Sequence, residues 1–540
     1  ALSPAARRLS VSQSLAAAMA LKFALAAVLA CIGACQAAAE GTVAVAATSD
    51  SAKPHALRAG AAAAPSRRSQ VPPASPVAAT PSAALTTNAP APPCRCPVDC
   101  PAAPPPPSRA HGVEFSEPNT CLKLSGVDLL GGVAILGEGT SLIVEDSSIG
   151  NGIQMEPGAG HLCVLGRNMV RGVISVEGIE SVTVLGSSAL PEGDGPILQV
   201  DGSGPVCLDG ERHTLTSVIV YGGSGDVHIS NTLSTNTDII LTDLSHGIVS
   251  VSSTGSPPMH ISDISMAKFE DVSIVLWNVF IDSDFKLSEV GPASIVGSGF
   301  QTHGDISFHK VGHVLLEDVD GGDEDFKFSF LESLTILDSR HFNLQVWECP
   351  PLESPSDPAR TVVMLSNGSF DNLAFSEIRG GVVLDAGPTG HGRLAANTLR
   401  ASGIDGKFSV TGAHFTGTSV FFELVHGGVH VKGCNGLNEG GFLARFHLVA
   451  CDGNSVVTNS HSFSSYILEN NKEVVLIDNT NVDLLVCVVE GGLVCGARNA
   501  FGTISGDCAG SSGDRVLACP MSRSPVDAGP AAAAAAAAGA

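Results

Sequence analysis

The stretch Ser141-Leu-Ile-Val-Glu-Asp-Ser147 is a short apolar run closed by turn-forming residues, and units of this kind recur through most of the 540-residue chain. Further copies begin at Ser181, Ser217, Ser273, Ser333, Ser419 and Glu473. Short runs that are rich in β-branched side chains and bounded by Gly, Asp, Asn or Ser are typical of strands. Helical spacing with capping residues is nearly absent. The sequence therefore predicts an all-β domain over residues 111–519.

The spacing of these runs indicates a repeat. Their starts differ by 40, 36, 56, 60, 86 and 54 residues, close to small multiples of the ~18–21 residues that form one coil of a solenoid. In a parallel β-helix, each coil stacks its strands on the coil below at ~4.8 Å. A propeller or sandwich array is the alternative, but a propeller would show periodic aromatic residues. An outer-membrane barrel would need aromatic girdles, and the chain has only two Trp and two Tyr.

The repeat pattern resembles the right-handed parallel β-helix (pectin-lyase-like) families over most of residues 112–500, through repeat character and without a diagnostic motif. Polygalacturonase-like members of that class use Asn-Thr-Asp, Asp-Asp, Gly-His-Gly and Arg-Ile-Lys motifs. The first and third occur here, as Asn236-Thr237-Asp238 and Gly390-His391-Gly392, but 154 residues apart. The chain contains no Asp-Asp dipeptide and no Arg-Ile-Lys. We therefore expect no glycosidic cleavage and no catalytic residues, with a polysaccharide lyase or hydrolase as the alternative.

Charge divides the chain near residue 110. The formal net charge is −24, but residues 1–110 carry a net charge of +6 and half of the 32 prolines. A strongly acidic body would be repelled by a polyanion, so we expect no nucleic-acid partner.

The N-terminal region has the features of a targeting sequence. Met19 and Lys22 precede an apolar run that ends in small residues, which is typical of a secretory signal peptide. The run is shorter than the ~20 residues that a transmembrane helix needs, so we expect no transmembrane anchor. The predicted segments are upstream or propeptide sequence (1–18), a signal peptide (19–39), a disordered Ala/Pro-rich linker (40–110) and, after the β-helix, a low-complexity tail (520–540). The expected location is extracellular or cell-surface; a transit peptide over 41–92, which would indicate a plastid reached through the secretory route, is the alternative.

Cysteines agree with an oxidising compartment. Six of them crowd the end of the predicted domain and are candidates for disulfides that cap the solenoid: Cys434, Cys451, Cys487, Cys495, Cys508 and Cys519. Their pairing cannot be deduced from sequence. Three more, Cys94, Cys96 and Cys100, lie in the linker and form an odd set, which leaves a thiol for an interchain disulfide. A local disulfide with one unused thiol is the alternative.

Two other site predictions follow from local sequence. The turn around Gly321 and Gly322 concentrates the carboxylates Asp318, Asp320, Asp323 and Asp325, and Ca²⁺ prefers such oxygen ligands. We favour a solvated acidic turn, and hence expect no cofactor, with a Ca²⁺ site as the alternative. Asn367-Gly-Ser369 is a glycosylation sequon. Trp277 lies between Leu276 and Asn278 in a dense apolar run and is expected to be buried.

These features favour a secreted, non-catalytic β-solenoid that serves as a structural, adhesive or extracellular-matrix component. The partner expected for it is an extracellular protein or a polysaccharide surface. Carboxylates grouped with Arg or Lys across adjacent coils would instead favour the enzyme.

Overall fold

A computed structural model describes eleven segments of the chain. They are residues 94–101, 111–188, 197–213, 217–231, 237–254, 258–349, 361–386, 394–437, 441, 443–488 and 493–507. The predicted segments 1–18, 19–39 and 520–540 lie outside the described residues, as does most of the predicted linker.

The described residues form strands and no helix. The strands of the N-terminal half are β1 (Val113–Phe115), β2 (Cys121–Ser125), β3 (Asp128–Leu129), β4 (Val133–Ile135), β5 (Ser141–Glu145), β6 (Ser148–Ile149), β7 (Ile153–Met155), β8 (His161–Leu165), β9 (Met169–Val170), β10 (Val173–Glu177), β11 (Ser181–Ser188), β12 (Ile197–Ser203), β13 (Val206–His213), β14 (Ser217–Gly223), β15 (Val227–Ser230), β16 (Asp238–Leu244), β17 (His246–Ser252), β18 (Met259–Ile261), β19 (Ile264–Phe269), β20 (Asp271–Trp277) and β21 (Val279–Ile281).

The remaining strands are longer on average, because several run through a corner. They are β22 (Phe285–Ser298), β23 (Gln301–Thr302), β24 (Ile306–Glu317), β25 (Asp320–Ser329), β26 (Ser333–Cys349), β27 (Thr361–Ile378), β28 (Gly381–Asp385), β29 (Leu394–Ile404), β30 (Phe408–Thr411), β31 (His414–Val425), β32 (Val429–Lys432), β33 (Ala444–Val449), β34 (Asn454–Thr458), β35 (His461–Glu469), β36 (Glu473–Ile477), β37 (Thr480–Val488), β38 (Leu493–Ala497) and β39 (Phe501–Gly506).

The strands stack in parallel into three columns, one for each side of the coil. Column 1 begins with β1, β4 and β7; column 2 with β2, β5 and β8; and column 3 with β3, β6 and β9. All of the paired strands are parallel apart from one isolated antiparallel bridge. The fold is therefore an all-β parallel β-solenoid, which confirms the predicted repeat architecture.

The coil length is less regular than the sequence spacing predicts. In column 2, Cys121 pairs with Ser141, 20 residues later, whereas Leu334 pairs with Val363, 29 residues later. The recurring runs also belong to different columns, since Ser181 starts a column 2 strand and Ser217 a column 1 strand. Their 36-residue separation is thus not a whole number of coils.

Corners are made by residues in the left-handed backbone conformation. Between columns 1 and 2, the residues Asp243, Lys268, Glu289 and Lys310 occupy one corner of four successive coils, with φ from 53° to 58°. Non-glycine residues rarely adopt positive φ. In later coils of the same corner, the amides of Ala450 and Asn470 donate hydrogen bonds of 2.8 Å to Glu469 O and Val488 O of the next coil. Equivalent turns stack above one another, which keeps the coils in register.

Aromatic rings fill the interior of the C-terminal coils. Phe375, Phe408, Phe422, Phe446 and Tyr466 contact one another in succession, with centroid separations of 5.1 to 5.7 Å. All five side chains are at most 1% exposed. Rings at these separations add attraction beyond their buried area, so the stack ties neighbouring coils together through the core.

The buried Tyr466 hydroxyl has no hydrogen-bond partner within the described structure, and burial raises the pKa of this phenol. We expect Tyr466→Phe to increase the free energy of unfolding by about 1 kcal/mol, because an unsatisfied buried hydroxyl is removed and the ring is kept. Urea unfolding followed by circular dichroism measures the change. Tyr221→Phe is the matched control, since this second tyrosine is 38% exposed; a loss of stability in Tyr466→Phe alone would show that its hydroxyl is bonded in solution.

Candidate functional site

A short N-terminal strap, residues 94–100, lies on the outer surface of column 2. Three disulfides attach it to the coils: Cys94–Cys207, Cys96–Cys163 and Cys100–Cys121. As the strap runs back from Cys100 to Cys94, its partners move from β2 to β8 to β13. The strap therefore crosses the strands along the stacking direction.

This geometry corrects the prediction for the linker cysteines. All three are paired within the chain, so the expected interchain disulfide through Cys94, Cys96 or Cys100 is wrong. Cys163 faces outward on a strand, where a segment crossing the coils can reach it. Part of the predicted linker, residues 94–100, is thus packed on the solenoid, where Cys100, Ile143 and Cys163 form a small buried cluster.

The strap covers the beginning of a long row of outward side chains on column 2. From Ile143 and Cys163 the row continues through Thr183, Cys207, His228 and Ser250. Its next members define the apolar row: Val275, Val296, Leu315, Thr335, Met364 and Val383. The members of the apolar row stack one per coil, on a face that the strap does not reach.

Trp277 lies beside the apolar row and is 42% exposed. The expectation that it is buried is therefore wrong. Residues alternate sides along a strand, so Leu276, at 1% exposure, takes the interior position and places the indole outside. Ser298 and Glu317 follow Trp277 in the next two coils. The face thus combines one exposed indole with aliphatic, hydroxyl and carboxylate groups.

A second outward row is acidic and runs along column 1. It consists of Asp263, Asp284, Asp305, Asp325, Asn343 and Asn372 on successive coils. Lys327 bridges two of its members, with Nζ 3.0 Å from Oδ2 of both Asp305 and Asp325. Hydrogen bonds to Asp325 and Asp305 raise the pKa of this lysine against the effect of its partial burial. The row is thus partly neutralised by the protein's own cations.

The four carboxylates of the predicted calcium turn have different surroundings. Asp318 is an exposed corner residue and Asp323 is exposed at φ 73°. Asp320 accepts hydrogen bonds from Arg340 Nε and His341 Nδ1, both at 3.2 Å, while Asp325 belongs to the acidic row. No group of three or more His, Cys, Asp or Glu arranged to hold a metal ion occurs in the described part of the chain. Calcium binding by this turn stays a prediction.

The pKa of Asp320 is lowered despite the opposing effect of its partial burial. The hydrogen bond from His341 and the backbone amide of Gly322 favour the ionised carboxylate, as do the charges of His341 and Arg340. The Asp320 carboxylate is therefore part of a local ion-pair network with Arg340 and His341.

The C-terminal cysteines fall into three groups. Cys487 and Cys495 are disulfide-bonded, which confirms the expectation of disulfides at this end of the domain. Cys434 and Cys451 are free and buried, so their assignment as disulfide candidates is wrong; their side chains occupy inward corner positions of the core. Burial raises the pKa of the Cys451 thiol to about 11. Cys508 and Cys519 lie outside the described residues.

The predicted glycosylation residue Asn367 lies at a corner with φ 48°. Its Nδ2 donates a hydrogen bond of 3.0 Å to Asp338 Oδ1 in the preceding coil. Glycosylation at this residue stays a prediction. Of the two motifs shared with polygalacturonase-like enzymes, Gly390-His391-Gly392 lies outside the described residues, as does Asn236.

The corner between columns 1 and 2 opens into a cavity of about 390 Å³. Its lining consists of Phe330, Glu348, Cys349, Glu377, Arg379, Gly403 and Asp405. Three carboxylates and one guanidinium thus converge across neighbouring coils. Sequence reasoning missed this site because Glu348, Glu377 and Asp405 are 29 and 28 residues apart, and only the coil register places them together.

No protein-family model, curated protein or solved structure matches this chain. What the structure supports of the resemblance to pectin-lyase-like families is the parallel β-helix repeat fold. The described residues contain no helix that is long and apolar enough to cross a membrane.

His430 follows Val383 and Ser409 on the outward row of column 2, and its pKa provides a test of how burial acts on this face. Burial lowers its pKa to about 4, Lys407 acts in the same direction, and a backbone hydrogen bond involving Asn454 opposes both. An unfolded histidine titrates near pH 6.5, so between pH 6.5 and 4 the unfolded chain binds the additional proton. The free energy of unfolding must then fall as the pH drops through this window.

We expect His430→Gln to remove part of this acid-induced loss, on the order of 1 kcal/mol once the screening of a half-exposed group is allowed for. Urea titrations of both proteins at pH 7 and pH 4 measure the difference. An equal loss of stability in the wild type and the variant would contradict the prediction.

Proposed function

We propose that this chain is a secreted, non-catalytic β-solenoid that acts as an adhesive or structural component of an extracellular surface, and that it binds polysaccharide through the face of column 2. The observation that carries the proposal is the exposed Trp277 beside the apolar row. Sugar rings stack on indole faces, and neighbouring hydroxyls supply hydrogen bonds. A stacked solenoid repeats such groups at ~4.8 Å, which suits an extended polymer.

Three chain features support secretion. The strap disulfides belong to proteins of oxidising compartments, Cys487 and Cys495 add further disulfide bonding, and Met19–Ala39 has the composition of a signal peptide. We propose an extracellular or cell-surface location on these grounds.

Binding to insoluble polysaccharide tests the adhesive role. We expect the wild-type protein to be retained on at least one of cellulose, chitin or calcium alginate, and Trp277→Ala to weaken retention about tenfold, because one stacking contact contributes about 1.4 kcal/mol. Tyr221→Ala, which removes an exposed aromatic side chain from column 1, is the control. Equal retention of Trp277→Ala and wild type would contradict binding through this face, and failure to bind any of the three polymers would contradict the adhesive role.

Processing of the N-terminus tests the location. The mature protein, isolated from the cell that makes it, is expected to start between Ala37 and Gly41, where small residues follow the apolar run. A start near residue 93 would instead favour the plastid route. Edman sequencing or mass spectrometry of the N-terminal peptide distinguishes the two.

A carbohydrate-active enzyme, the alternative, is favoured by one observation, the grouping of Glu348, Glu377 and Asp405 with Arg379 at one cavity. Paired carboxylates perform acid–base work in glycosidases.

A further inference from the structure

The corner between columns 1 and 2 carries a charge ladder that stops at the cavity. In four successive coils the corner residues are Asp243, Lys268, Glu289 and Lys310, acid and base in turn. Lys268 Nζ lies 3.9 Å from Asp243 Oδ1, and Lys310 Nζ lies 3.4 Å from Glu289 Oε1. Each acid in this part of the ladder is thus neutralised by the coil that follows it.

The same corner positions in the next four coils are Phe330, Glu348, Glu377 and Gly403, all with positive φ. The pairings Ser329–Trp347, Cys349–Ile378 and Ser376–Ser402 place these positions above one another. Glu348 and Glu377 are therefore neighbours at ~4.8 Å backbone spacing. Like charges placed in this way repel, and within the described structure neither carboxylate forms a salt bridge.

Gly403 occupies the corner position that follows Glu377, where a lysine would neutralise the carboxylate, and it has no side chain. A Cβ built on this glycine would lie 3.5 to 3.8 Å from atoms of Glu377, so a side chain here would cover the carboxylate, as Lys268 covers Asp243. Arg379 does not replace it, because its Nε lies 4.0 Å from Asp405 Oδ2. With three carboxylates and one guanidinium, the cavity has a net charge of −2.

The residues that line the cavity indicate which kind of cation it would bind. Calcium takes six to eight oxygen ligands, whereas the lining residues Phe330 and Cys349 have no side-chain oxygen. An alkylammonium uses such a mixture well, since carboxylates accept its hydrogen bonds and an aromatic ring attracts its charge. A volume of about 390 Å³ lies within the range of small-molecule sites, which accommodates a ring in addition to the ammonium group.

We propose that this cavity binds the protonated amino group of an amino sugar, as a unit of a cationic polysaccharide, with Glu348 and Glu377 as its acceptors. The ligand supplies the positive charge that lysines provide in the coils below. The site lies at a corner and does not include Trp277 or the apolar row, so it goes beyond the proposed adhesive face and can fail independently of it.

Calorimetric titration of the full chain with a glucosamine tetramer tests the proposal. We expect binding that weakens about tenfold or more in Glu377→Gln and in Gly403→Lys, because the first removes an acceptor and the second supplies the missing cation in place of the ligand. Lysine is compatible with this backbone, since Lys268 and Lys310 occupy equivalent corners at φ 56° and 53°. Glu289→Gln is the matched control, an acid at the same corner that Lys310 already neutralises, and it is expected to bind as the wild type does. Circular dichroism verifies that each variant is folded.

Several outcomes would overturn the proposal. Equal affinity for the N-acetylated tetramer would show that the ammonium is not recognised, and unchanged affinity in Gly403→Lys would place the binding elsewhere. Tighter binding of an oligolysine peptide than of the sugar would identify a protein lysine as the occupant. New reducing ends in the glucosamine polymer, lost in Glu348→Gln, would show that the site performs chemistry and would favour the enzyme.

Discussion

Parallel, in-register stacking of the coils is the constraint on which this structure depends. Each strand is hydrogen-bonded to its equivalents above and below, so any residue must accept the backbone conformation that its stacked neighbours have. This explains why Lys, Glu and Phe hold positive φ at the corners, a conformation that costs about 1 kcal/mol or more for each such residue outside a supporting framework. Side chains at equivalent positions of successive coils also lie in rows, so the charge or polarity of one side chain acts directly on its neighbours in the row. Aliphatic groups, carboxylates and rings line up because the backbone gives them no other arrangement.

Rows behave differently according to charge. An apolar row gains from its own repetition, as the Phe375-to-Tyr466 stack does in the core, whereas a carboxylate row accumulates repulsion. The chain relieves this repulsion in two ways. Corner lysines alternate with acids between Asp243 and Lys310, and Lys327 bridges two members of the acidic row. Neither device is present at the cavity, where Glu348 and Glu377 stack on successive coils without a lysine between them.

The repeat architecture could be predicted from sequence because a β-helix is encoded in local runs such as Ser141–Ser147, whose period is visible without knowledge of the register. Features that depend on the register could not. Cys434 and Cys451 look like disulfide partners in sequence, yet each follows a left-handed corner residue and points into the core. Asp318 and Asp325 are close in sequence but belong to different sides of a coil. The spacing of Cys94 and Cys96 does indicate that both side chains face the same surface, because residues two apart in an extended segment point the same way.

The strap has a mechanical consequence. Solenoids are vulnerable at their ends, where a terminal coil can be peeled away by breaking one row of hydrogen bonds at a time. A pull on the chain preceding Cys94 does not act on the terminal coil. It passes through the Cys94–Cys207 bond into β13, four coils further on, and the remaining two bonds tie β2 and β8 to the same segment. Several coils then share the applied force in shear. The N-terminal coils, which could otherwise separate one row of hydrogen bonds at a time, are therefore held together by the strap.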